Sequence, residues 1–213
     1  MNRFSLILVT YLALTTSRTI ASEHINWSTL PLENSHKSHL VNNRVLVFSN
    51  MQSLTQEIID DSEIKQIETQ KWDFSIAGLH PRNCRMALRR LSRYEEYDQL
   101  IGFIAESAYN EKEEELSFLL RSRLLPFSML LNFQLPRITS PGKYAYSFDR
   151  GFLKGLTGHI HVDSVAEHDN RCLFYATAQW HGPHTGINNR IFEGFSRTMA
   201  KMAMETLFRV SSL

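Results

Sequence analysis

The chain has 213 residues, 43% of them hydrophobic, with 23 basic against 22 acidic side chains and a formal charge of +1. That length builds one sizeable domain with a real core, and the composition is that of an ordinary globular protein. The near-neutral balance argues against a nucleic-acid partner, which calls for a basic excess.

At the N-terminus Arg3 precedes FSLILVTYLAL, an apolar run of 11 residues, and Thr19 and Ala21 follow as small side chains. This is the layout of a cleavable signal peptide over residues 1–21. The run is short for a bilayer span, which takes ~20 residues, although an uncleaved anchor is the alternative. Cleavage after Ala21 removes Arg3 and Arg18 and leaves 21 basic against 22 acidic residues, a charge of −1. The expected location is therefore secreted or periplasmic.

Residues 22–62 read as an N-terminal lead-in, polar and mobile at first, with a short strand over RVLVFSN, Arg44 to Asn50. Asn26-Trp27-Ser28 is a glycosylation sequon, of use only in a eukaryotic source. The main domain is expected over residues 63–213. It opens on a long strand from Glu63 to Gly78 in which Trp72, Phe74 and Ile76 share a face. Pro81 then suits the first turn of a helix, and Cys84, Ala87, Leu88 and Leu91 form an apolar stripe at helical spacing. A second short helix covers Tyr94 to Leu100.

From there the chain turns to strands: FIAESAYNEKEEELSFLLRSRL reads as two joined near Asn110 to Glu113, and FSMLLNFQLPRI, KYAYSFD, GHIHVDSV and RCLFYATAQWHG follow. Turn residues separate them, which predicts an antiparallel meander. A long amphipathic helix from about Asn188 to Arg209 ends the chain, broad enough on its apolar side to lie on a sheet. The class is α+β, with helices segregated from the strands.

Two stretches pose chemical questions. His159 and His161 stand two apart on one strand, so their imidazoles share a face. With Glu167 they raise the question of a metal site. Glu167, however, lies six residues past His161 in a polar turn. Ile160 and Val162 are the apolar residues of that strand and should face the core, which turns both histidines toward solvent; no metal is expected. Cys84 and Cys172 either form one disulfide in an oxidising compartment or remain two buried thiols. There is no G-x-S-x-G elbow and no glycine-rich phosphate loop. Asp149, Arg150 and Glu106 read as solvated charges, so no catalytic residue is assigned.

ALRRLSRYEEYDQLIGFIAES, YAYSFDRGFLKGLTGHIHV and CLFYATAQWHGPHTGINNRIFEGFSRTMAKMAMETLFR together resemble the START-like helix-grip superfamily. That group includes lipid-transfer domains, polyketide cyclase/dehydrase-like proteins and coenzyme-Q-binding proteins. The resemblance covers Ile64 to Arg209. It departs after the glycine turn, where Gly158 leads to Ile160 rather than to an aromatic residue. It implies a curved antiparallel sheet wrapped around the C-terminal helix, with an apolar ligand between them.

On that reading Tyr144, Tyr146, Phe148 and Trp180 on strands face Phe195, Met199 and Met202 on the helix around a cavity. The expected partner is a hydrophobic small molecule, a lipid or an isoprenoid, with no cofactor. Contact with a membrane is left open, as are the oligomeric state and a cyclase/dehydrase-like activity in the same cavity. Binding is preferred to catalysis.

Overall fold

A computed structural model describes residues 24–60, 63–121 and 128–212. The expected signal peptide over residues 1–21 lies outside them. Eight strands form one sheet in the order β1-β2-β8-β7-β6-β5-β4-β3. They are β1 (Leu46–Asp60), β2 (Glu63–Asn83), β3 (Ile104–Asn110), β4 (Glu115–Leu120), β5 (Met129–Gln134), β6 (Gly142–Gly151), β7 (Thr157–Val165) and β8 (Arg171–Pro183). Every neighbouring pair is antiparallel. The helices are α1 (Asn34–Val41), α2 (Cys84–Leu91), α3 (Tyr97–Leu100) and α4 (Asn189–Ser211). The expected α+β helix-grip arrangement is present, with α4 on the concave face of a curved sheet.

Alternation along β2 and β8 sends side chains to two different layers. Cys172 and Phe174 point to the concave side and join Cys84, Leu88 and Leu91 of α2. Leu173 and Tyr175 point to the convex side with Ala77 and Leu79. The convex side is not left to solvent. Leu30 and Leu40 are buried on it, with Ile25, Trp27 and Val41 packed around them. The segment expected as a mobile lead-in is thus an ordered cover that includes α1. The polar residues between its few apolar ones hide that role. The short strand expected at Arg44 to Asn50 is the start of a 15-residue strand paired along its length with β2.

Pro81 lies in β2 rather than in a helix. The pairing with β8 shifts register between His80 and Asn83, and Pro81, with no N–H to give the ladder, falls inside that irregularity. The helix is started by Asn83, whose side chain accepts from the Met86 N–H at 3.0 Å. Cys84, the first residue of α2, is joined by a disulfide to Cys172 of β8. This settles the choice between pairing and separate thiols. It also fixes the short helix to the centre of the sheet.

α4 closes the concave side at two places. At Gly78 of β2 the helix comes so near that an added Cβ would stand 2.7 Å from the Phe208 ring and 2.8 Å from the Met204 sulfur. At the sheet edge, α4 side chains take up free backbone groups of β1. The Met51 N–H donates to Glu193 Oε1 at 2.6 Å, and Arg197 donates to Ser49 O at 2.6 Å. These two bonds occupy backbone groups of an edge strand that would otherwise be open to another chain.

Candidate functional site

Between the concave face and α4 lies a cavity of about 430 Å³. Its walls are built by period-two alternation: Trp72, Phe74 and Ile76 on β2, Leu116 and Phe118 on β4, Leu131 and Phe133 on β5. α2 contributes Leu88 and Leu91, the turn after it Tyr94, and α3 Tyr97. α4 supplies Phe195, Met199, Ala203 and Leu207 from above.

No described residue of the lining is ionisable at neutral pH. The few polar atoms that reach it already have partners. Trp72 Nε1 donates to Ser49 Oγ at 2.8 Å. Tyr94 donates to Pro136 O at 3.3 Å and accepts from the Ile138 N–H at 3.0 Å. The Tyr97 hydroxyl donates to Leu91 O at 2.6 Å, and that of Tyr146 to Thr177 O at 3.0 Å. Ser196 Oγ lies 3.0 Å from Ser49 Oγ and donates to Glu193 O at 3.1 Å. Burial pushes the hydroxyls of Tyr94, Tyr97 and Tyr146 above the ordinary tyrosine range, so all three stay protonated donors. Hydrogen bonds directed into the walls leave the interior with methyl, methylene, thioether and ring surface.

Of the seven residues nominated from sequence, Tyr146, Phe148, Phe195 and Met199 line the cavity. The other three do not. Tyr144 folds back beside Gly142 and donates to Ser140 O at 2.7 Å. Trp180 is buried at one end among Met51, Trp72 and Phe192, its Nε1 donating to Lys154 O at 3.0 Å. Met202 is 46% exposed. The lined arc of α4 centres between Met199 and Leu207 and takes in Ala200 and Met204, which leaves Met202 beyond its rim. The residues missed on β4, β5 and α2 follow the same alternation and helical stripe. That signal was in the sequence, but only the sheet curvature decides which rungs meet the space.

Gly158 explains the position of Tyr146. The two are direct partners across β6 and β7, and a Cβ on Gly158 would meet the Tyr146 ring at 2.7 Å and collide with Thr177 O. The bare backbone there lets the tyrosine ring lie across β7 and reach the Thr177 carbonyl of β8.

The histidines face the convex side, as the alternation requires, with Ile160 and Val162 inside. The solvated face expected for them is corrected at His161, which is only 3% exposed. The N-terminal cover lies over it: the Ile25 N–H donates to His161 Nδ1 at 3.1 Å, and the His24 ring stands 5.8 Å away. Burial first, then the neighbouring His24, Lys143 and His159, lowers the His161 pKa to about 4. Among the described residues no group of three or more His, Cys, Asp or Glu is placed to hold a metal ion.

One pair resembles a nucleophile and its base. His80 Nε2 lies 2.9 Å from Ser211 Oγ. The Arg82 N–H, however, donates to His80 Nδ1 at 3.0 Å, so the ring proton sits on Nε2 and is given to the serine. Ser211 in turn donates to Leu207 O at 2.5 Å. The chain runs from histidine to serine to carbonyl, opposite to the direction a general base needs. It is a buried clamp on the end of α4.

No protein-family model matches this sequence, and no curated protein matches it. Solved structures do. A START superfamily protein from Mycobacterium smegmatis aligns with TM-score 0.51 at 8% identity, covering 66% of this chain and 97% of that one. Ara h 8.0201 aligns with TM-score 0.50 at 10% identity, over 67% of this chain and 99% of that one. The di-domain ARO/CYC StfQ from the steffimycin biosynthetic pathway aligns with TM-score 0.50 at 12% identity, over 65% of this chain and 48% of that one. At these identities the likeness is one of fold: the chain has the START-like helix-grip fold.

Proposed function

We propose that the protein binds a hydrophobic small molecule, a lipid or an isoprenoid, in the cavity between the sheet and α4. The observation that carries this reading is the lining. It is continuous apolar surface, and its polar atoms are turned into the walls. A ligand carbonyl or hydroxyl inside would lose its water and find no partner, at a cost of roughly 1–3 kcal/mol. A hydrocarbon tail has nothing to lose. A methylene fills about as much space as a water molecule's ~30 Å³ share of the liquid, so the cavity suits a chain of roughly a dozen carbons. Tyr146, Phe148, Phe195 and Met199 are the proposed contacts.

The same lining favours binding over a cyclase/dehydrase-like activity, which needs a proton donor or acceptor at the substrate. The likeness to an ARO/CYC protein is the support for the enzymatic alternative. Export belongs to the proposal as well. It is supported by Arg3 with its apolar run and by the Cys84–Cys172 disulfide, which persists in oxidising compartments. N-terminal sequencing of secreted material should start near Ser22; retention in the membrane with Met1 intact would end that part of the reading. For the cavity, N-phenyl-1-naphthylamine should bind with enhanced fluorescence, and native mass spectrometry should carry a co-purified apolar species. No probe binding by folded protein would overturn the proposal.

A further inference from the structure

The helix that walls the cavity has a second face. In α2, Cys84, Ala87, Leu88 and Leu91 are buried, and Arg85, Met86, Arg89 and Arg90 are exposed. Arg82 and Arg93 flank it, so Arg82 to Arg93 holds five arginines and no acidic residue. In a chain of formal charge +1, this is a local concentration of charge and not a property of the whole.

The surroundings do not neutralise it. Arg82 donates to Ser212 O at 3.1 Å and Arg90 to Val210 O at 2.8 Å. These bonds dock the last turn of α4, with exposed Arg209, against α2. Of the carboxylates that follow α2, Glu96 is engaged by Arg93 at 3.1 Å and Glu95 by Arg137 at 3.1 Å. Among the described residues Arg85, Arg89 and Arg209 have no ion-pair or hydrogen-bonding side-chain partner. Met86, beside Arg85 and one turn before Arg89 and Arg90, is 50% exposed.

We propose that the outer face of α2, with Arg209, is a docking surface for a phospholipid bilayer carrying anionic headgroups. Guanidinium groups take phosphate oxygens in their fork of donors, and a basic helix face with an apolar side chain among the charges fits the headgroup boundary. A bilayer is favoured over a nucleic acid by Met86, which would meet only phosphate and sugar on a duplex. It is favoured also by position, because the inner face of the same helix lines the cavity proposed for a hydrocarbon chain. Docking through α2 brings that wall to the source of such chains.

The test is co-sedimentation of the full chain with phosphatidylcholine vesicles, with and without a minority of phosphatidylglycerol. The protein should partition preferentially onto the anionic vesicles and come off in raised salt, since the attraction acts within about 10 Å at 0.1 M salt. Arg85→Gln with Arg89→Gln should lower that partitioning about 25-fold, each arginine near an anionic surface contributing roughly 5-fold. Comparing the variant with the parent chain cancels whatever any other segment adds. N-phenyl-1-naphthylamine binding by the variant reports the fold and the cavity separately. Equal binding to both vesicle types, or a folded variant that partitions like its parent, overturns the proposal. So does a chain that binds duplex DNA through these arginines while ignoring vesicles. Each of these outcomes leaves the cavity reading standing, and loss of probe binding by the parent chain leaves this one standing.

Discussion

On the convex face, Leu79, Val165 and Leu173 meet Leu30 and Leu40, and all five are buried. On the concave face, Phe74, Phe133 and Phe174 look across about 430 Å³ at α4. Both faces come from the same alternation along the same strands. The difference lies in what covers them. A short segment with few turns settles onto the convex side and buries the side chains there. A single straight helix laid in the concave side of a strongly curved sheet touches it at Gly78 and at the β1 edge and spans the rest. The solid face is held by packing. The hollow face is held at its margins, by the Cys84–Cys172 disulfide, the His80–Ser211 clamp and the caps on β1.

The largest effect should come from the margin of the hollow side. Changing both Cys84 and Cys172 to Ser frees a loop spanning a sequence separation of 88 and should cost about 4 kcal/mol in urea unfolding. A loss under about 1 kcal/mol would mean that packing alone holds α2. On the solid side, Leu40→Ala empties a fully buried site and should cost about 3 kcal/mol. The same experiment sharpens the contrast through Leu131→Ala, which only enlarges an existing space and should cost clearly less. Equal losses would erase the distinction between the faces.

Acid should act on the solid face next. His161 titrates at 6.5 in the unfolded chain and at about 4 under its cover. Between those values the unfolded chain binds the proton and the folded one does not. The stability is therefore whole above pH 6.5 and lost progressively as the pH falls toward 4, by on the order of 2 kcal/mol. Melting temperature followed over that range should fall less in His161→Gln than in the parent chain. Parallel curves would show that the histidine is not what the cover protects.

Met199→Trp should change stability least, by under about 1 kcal/mol, because the indole enters space that is already empty. It should nevertheless abolish N-phenyl-1-naphthylamine binding. Met202→Trp, on the exposed side of α4, should leave binding intact. A strongly destabilised Met199→Trp would mean the hollow face has no room.

Most of the sheet was legible from alternation, although β1 beyond Asn50 and the end of β2 at Pro81 were not, and α4 was legible because its stripe is long. The inward placement of Ile160 and Val162 followed from that alternation. The burial of His161 did not, because the cover over it is assembled from isolated apolar residues in a polar stretch, with no period to detect. Met199 and Met202 lie on one side of a helical wheel, and only the lateral position of α4 over the sheet separates lining from surface. Tyr144 and Trp180 left the lining through hydrogen bonds to the Ser140 and Lys154 carbonyls, a competition that residue type alone does not reveal.

Glu193 and Arg197 make the helix over the cavity also the stopper on the sheet's open edge. Lifting that end of α4 to admit a guest would bare the Met51 N–H and the Ser49 carbonyl together. On the proposed function, exchange of a guest and pairing of β1 with a second copy would be rivals for that one motion.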